Sequence, residues 1–138
     1  MSAADFLKKT ALFGGLTDAD VDNVLRTAKE RSFPEGDLVI EEGATGRGFY
    51  LILSGTAQAR KGETVLADFG PGGYFGEMAV LLEDTPRTAD VVATSDLTCL
   101  VITSWDLRAF LTTHPDVGAR MMGELLRRLR DTDALLLD

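Results

Sequence analysis

The chain carries one cysteine and one histidine in 138 residues, and each scarcity removes a class of chemistry. Cys99 alone excludes a disulfide framework within the chain, and its place in the apolar run from Leu97 to Ile102 points to a buried thiol rather than a reactive one. His114 alone excludes a multi-histidine metal centre, which a cupin-type metalloenzyme on a jelly roll would need; next to Pro115 it reads as a helix cap or a plainly exposed side chain. No nucleophile, base and orienting acid fall close together, so a catalytic role is not expected. No apolar run approaches the roughly 20 residues of a membrane span, and no basic segment precedes a long apolar core at the N-terminus. A soluble, cytoplasmic protein is the expectation. Positive charge is also short: Lys and Arg total 14 against 22 Asp and Glu, a net charge of -8. Such a surface repels a polyanion and argues against nucleic acid as a partner.

What is present fits one domain over residues 1–138, mainly β with flanking helices. Residues 1–30 read as N-terminal helices. Val21, Val24, Leu25 and Ala28 recur at helical spacing behind Thr17, which is placed to cap, and Phe6, Leu7, Leu12 and Phe13 precede them. Residues 31–102 read as a β-roll or jelly roll, with short runs at Leu38 to Ile40, Phe49 to Leu53, Thr56 to Arg60, Thr64 to Phe69, Val91 to Ala93 and Leu97 to Ile102. Turn residues separate these runs at Pro34 to Asp37, Gly43 to Gly48, Ser54-Gly55, Lys61 to Glu63 and Gly70 to Gly73. Residues 103–138 return to helical period. Thr103 and Asp106 form a capping motif ahead of Leu107, Phe110 and Leu111, and Pro115 suits the first turn of a longer helix. Val117, Met121, Met122, Leu125, Leu126 and Leu129 read as one stripe on that helix, which packs either on the chain's own core or, through Met121, Leu125 and Leu129, on a second copy.

The segment with the most chemistry runs from Gly72 to Ala93. In Gly72-Gly73-Tyr74-Phe75-Gly76-Glu77-Met78-Ala79, glycines lead directly into an apolar stretch that reads as one or two helical turns. A backbone without a Cβ at Gly76 approaches a ligand closely, and free N–H groups opening a helix favour an anion. A glycine-rich turn is also simply a turn. After Pro86, the Arg87 guanidinium is suited to grip a phosphate, Thr88 adds a hydroxyl, and Ala89 leaves its N–H accessible. Read this way, Arg87 is a solvated side chain at a pocket mouth with little packing, and a plain surface arginine is the competing reading. Glu77 is a pure acceptor suited to a sugar hydroxyl, or a favourable acid in a first helical turn.

The order and spacing of Phe75-Gly76-Glu77-Met78-Ala79, Arg87-Thr88-Ala89 and Val91 to Ala93 resemble the phosphate-binding cassette of the cyclic nucleotide-binding domain family. Pro34 to Asp37 with Glu42-Gly43, and Phe49 to Gly55, resemble the same family's first strands. The resemblance implies a regulatory domain that closes over cyclic AMP or cyclic GMP and changes its C-terminal helix on binding, with no cofactor. It implies that Glu77 accepts the ribose 2′-hydroxyl and that Arg87 neutralises the phosphate. Backbone N–H groups near Gly76, Met78 and Ala89 and the Thr88 hydroxyl would complete the cradle. The last helix is most similar to that of the catabolite activator branch, which implies a homodimer through this helix and Thr132 at the base edge. Thr132 leans towards cyclic AMP and Thr88 towards cyclic GMP; cyclic AMP is favoured. Arg47-Gly48 and Gly73 depart from the usual pattern, and no helix-turn-helix module is read within these residues, so the chain is expected to be either a stand-alone sensor acting through an effector protein or the regulatory piece of something longer. A degenerate member of the family, kept as a dimerisation or docking module without ligand, is the alternative.

Overall fold

The computed structural model describes residues 2–43, 48–76, 87 and 89–137, with 132–137 described by their backbone alone. Two helices open the chain, α1 (Ala3–Lys9) and α2 (Asp18–Thr27). Each begins where a hydroxyl can accept an N–H that the first turn leaves unsatisfied: Ser2 accepts from Asp5 and Thr17 from Asp20. Eight strands follow among the described residues: β1 (Lys29–Phe33), β2 (Leu38–Ile40), β3 (Gly48–Ser54), β4 (Ala57–Lys61), β5 (Thr64–Phe69), β6 (Tyr74–Phe75), β7 (Asp90–Ala93) and β8 (Leu97–Thr103). They make two antiparallel four-stranded sheets of order β1-β8-β3-β6 and β2-β7-β4-β5. Helices α3 (Ser104–Thr113) and α4 (Pro115–Leu137) end the chain. Thr103 caps α3 as expected, accepting from the Asp106 N–H while its own hydroxyl donates to Asp106 Oδ2.

The apolar runs in β3 and β8 are continuous rather than alternating because both faces of their sheet are covered. Successive side chains on a strand point to opposite faces. Phe49 and Leu51 of β3, Leu100 and Ile102 of β8 and Tyr74 of β6 therefore join a core with Leu7, Leu12, Phe13, Val21, Val24, Leu107, Val117 and Met121 from the helices. Their neighbours Ile52, Leu97, Cys99 and Phe75 turn the other way and fill the roll with Ile40, Ala57, Val91 and Ala93. Burial pushes the Cys99 thiol up to about 12.

Three expectations change. Lys29–Phe33 and Tyr74–Phe75 are strands, although Lys29 to Ser32 are exposed and the second pair sits inside a glycine-rich stretch. The single stripe on the last helix divides: Val117 and Met121 are buried, Leu125 packs against the same core, and Met122, Leu126 and Leu129 are more than half exposed. Met121 is thus spent inside the protomer, and Leu125 is partly so. No described helix is long and apolar enough to cross a membrane.

The tightest backbone approach is at Gly55, between β3 and β4. Its φ is +87° and a Cβ there would lie 2.1 Å from the Asp96 carbonyl oxygen. Gly55→Ala is expected to lower unfolding free energy by more than about 2 kcal/mol, combining left-handed strain with a clash against backbone; urea unfolding measures it.

Candidate functional site

Arg87 follows the part of the 72–93 segment that lies outside the described residues, and its surroundings define the site. The side chain is 8% exposed, so the expected solvated arginine is instead a buried one. Burying a cation requires compensating acceptors, and two come from strand ends. Nη1 donates to the Gly76 carbonyl at 3.1 Å and Nη2 to the Gly48 carbonyl at 2.9 Å. The Arg87 carbonyl in turn accepts from the Gly43 N–H at 2.8 Å. One residue thereby joins the turn after β2, the first residue of β3 and the residue just past β6. Nearby, the Asp90 carboxylate accepts from the Glu42 N–H at 2.6 Å, which holds the turn after β2 against the start of β7.

The glycine at position 76 has a specific steric cause. Its φ is +85°, and a Cβ would lie 2.5 Å from the Gly48 carbonyl oxygen and 3.3 Å from Arg87 Nη1. The close approach inferred from sequence is therefore made first to β3 of the chain itself. Aromatic rings support this junction: Tyr50 stacks on Phe75 with centroids 5.0 Å apart and planes 8° apart, and it tilts against Phe33 at 6.3 Å. On the far side of β6, Arg128 of α4 lies over the Tyr74 ring at 4.7 Å and the Phe69 ring at 5.3 Å, and donates to the Tyr74 carbonyl at 3.3 Å. The last helix is thus docked two residues from Gly76.

Of the residues singled out from sequence, Gly76 and Arg87 are brought into direct contact, and Ala89 lies half-buried just before β7. Glu77, Met78 and Thr88 lie outside the described residues, and Thr132 is placed on α4 by its backbone. The sequence places Gly43 and Gly48 in a turn and in the family pattern around it, without assigning either a contact with Arg87. Their one signal was a glycine pair flanking the turn before a strongly apolar strand. Among the described residues no three His, Cys, Asp or Glu side chains cluster as metal ligands do.

The profile of the cyclic nucleotide-binding domain matches residues 30–114, which holds both sheets and α3. The chain belongs to this family. The cAMP-dependent protein kinase regulatory subunit of Hypocrea atroviridis is 40% identical over 93 residues, 67% of this chain and 20% of that protein. The cGMP-dependent protein kinase of Plasmodium berghei is 34% identical over 128 residues, 92% of this chain and 14% of that protein. The crystal structure of the Thermus thermophilus catabolite activator protein superposes with a TM-score of 0.78 at 35% identity, covering 91% of this chain and 61% of that one. The chain therefore spans between about a seventh and three fifths of the length of these relatives. The likeness confirms the β-roll with helices before and after it.

Because Arg87 is buried on backbone acceptors, its removal has a structural cost. Arg87→Ala is expected to lower unfolding free energy by about 1–3 kcal/mol, the range for leaving buried acceptors without their donor. A urea midpoint indistinguishable from wild type would contradict the buried placement.

Proposed function

We propose that this chain is a regulatory domain that binds a cyclic nucleotide, with Arg87 holding the cyclic phosphate. The observation that carries this reading is the buried Arg87 clamped between Gly48 and Gly76 inside a span that matches the family. The two carbonyls fix the orientation of the guanidinium, whose planar fork matches the geometry of a phosphate. Against a net charge of -8, a local cation fixed in place is what allows a small anion to be held. In the same proposal Glu77 takes the ribose 2′-hydroxyl, and the backbone near Gly76, Met78 and Ala89 with the Thr88 hydroxyl surrounds the phosphate. Thr132 on α4 reaches the base. The relatives' names include both nucleotides; the role proposed for Thr132 favours cyclic AMP. The role is binding rather than catalysis, in the cytoplasm, and residues 1–138 act as one domain.

The response is proposed to pass through α4, whose Arg128 already touches β6. The exposed residues Met122, Leu126 and Leu129 are spaced four and then three apart, the spacing of a helix–helix seam. They replace Met121 and Leu125 as the proposed homodimer face. An effector protein would read the change.

Cyclic AMP at about 100 times its dissociation constant is expected to stabilise the fold by roughly 2.7 kcal/mol. Calorimetric titration of wild type with cyclic AMP and cyclic GMP, alongside Arg87→Lys, tests it; no heat and no thermal shift with either nucleotide at millimolar concentration would leave the ligand-free docking module as the better reading. For the dimer, Met122→Glu with Leu126→Glu is expected to give a monomer by sedimentation while unfolding free energy per protomer stays within about 0.5 kcal/mol, since both side chains are exposed.

A further inference from the structure

His114 stands where three helices meet. Its N–H closes α3 by donating to the Phe110 carbonyl at 2.9 Å, and its carbonyl opens α4 by accepting from Val117 at 3.1 Å. Its ring then reaches a third element: Nε2 lies 3.0 Å from Asp20 Oδ1 on α2. The other nitrogen, Nδ1, lies 3.1 Å from the Phe110 carbonyl oxygen and 2.9 Å from Thr113 Oγ1. The Thr113 hydroxyl also lies 3.0 Å from that same carbonyl and can donate either to it or to Nδ1. Nε2 therefore faces a carboxylate, whereas Nδ1 faces a carbonyl and a hydroxyl that can serve it as donor or acceptor. A neutral ring with its proton on Nε2 keeps a hydrogen bond to Asp20 but lacks the charge that an imidazolium sets against that carboxylate. The ring also stacks on Phe110 at 4.2 Å and 15°, a face that favours a cation.

We propose that His114 is a proton-operated clasp: as an imidazolium it ties α2 to the joint between α3 and α4 by an ion pair with Asp20, and on losing its proton it keeps only a neutral hydrogen bond there, so that the seat of α4 depends on pH. The surrounding charges favour this. Asp20 faces the ring from α2 and Asp116 from the first turn of α4, where Arg120 is 3.7 Å from Asp116. Arg26 of α2 and Asp106 of α3 line the same cavity of about 360 Å³ beside the ring. Arg26 is turned onto the Asn23 side chain and Asp106 is held by Thr103. The hydrogen bond with Asp20 raises the His114 pKa above its ordinary value; burial opposes it, and the Phe110 carbonyl adds to the rise. The same bond, with help from Thr17, lowers that of Asp20.

The two signs define a window. The histidine's contribution is complete below about pH 6.5, the ordinary imidazole value, and is lost as pH rises through the raised value. The aspartate's contribution is complete above the ordinary carboxylate range and is lost as pH falls through its lowered value. The clasp is whole in mildly acid solution and opens on the alkaline side.

Because the chain has one histidine, its imidazole signal in a tag-free protein needs no assignment. The clasp stands apart from the nucleotide reading, and the test uses no nucleotide. The imidazole of wild type is expected to titrate above about 6.5, and Asp20→Asn is expected to bring it back down. Between pH 6 and pH 8 the wild-type melting temperature should fall by roughly 2–4 °C more than that of His114→Gln. Amide protection in residues 116–122, corrected for intrinsic exchange, should fall over the same interval in wild type and stay level in the variant. Titration at or below 6.5 in wild type, an unshifted titration in Asp20→Asn, or α4 protection independent of pH would each overturn the proposal.

Discussion

The buried guanidinium of Arg87 is the constraint on which the architecture around the site depends. A cation at 8% exposure cannot be left to an apolar roll, and the chain supplies backbone oxygens from two strands that are otherwise separate in sequence. That need explains the glycines. Gly76 must lack a Cβ for its peptide to approach the Gly48 carbonyl, and it must tolerate a φ of +85° to aim its own carbonyl at Arg87. The residue proposed to meet an anion is thus also the pin that registers β6 against β3, so in that proposal affinity and local stability draw on the same side chain.

The alternation of β3, β6 and β8 gives this pin its reach. Each strand sends one set of side chains to the helices and the other into the roll. Tyr74 and Phe75 are consecutive, yet the first is covered by Arg128 of α4 and the second is stacked on Tyr50 inside the roll. A displacement of either layer is felt by the same two-residue strand.

Much of this was legible in the residues, and the parts that were not have physical causes. The strand runs, the caps at Thr17 and Thr103 and the buried Cys99 follow from local patterns, which need no knowledge of partners. Strand β1 escaped because its side chains from Lys29 to Ser32 are exposed, and an exposed edge carries no apolar period. The stripe on α4 was read as one face because Met121 and Met122 are adjacent; only packing against Val24, Leu107 and their neighbours tells which is inside. Arg87 was taken for a solvated side chain because its acceptors are backbone carbonyls, which no residue type announces. The roles of Gly43 and Gly48 were hidden for the same reason.

Cys99 has a consequence for the conditions under which such a domain operates. Its sulfur lies fully enclosed in the roll, with the thiol pushed up to about 12, and the attacking species in disulfide exchange and peroxide oxidation is the thiolate. The fold's only sulfhydryl is chemically silent while the roll stays closed. Thiol-oxidising and thiol-reducing surroundings leave this sulfur unchanged, and thiol reagents become a gauge of unfolding rather than a source of damage.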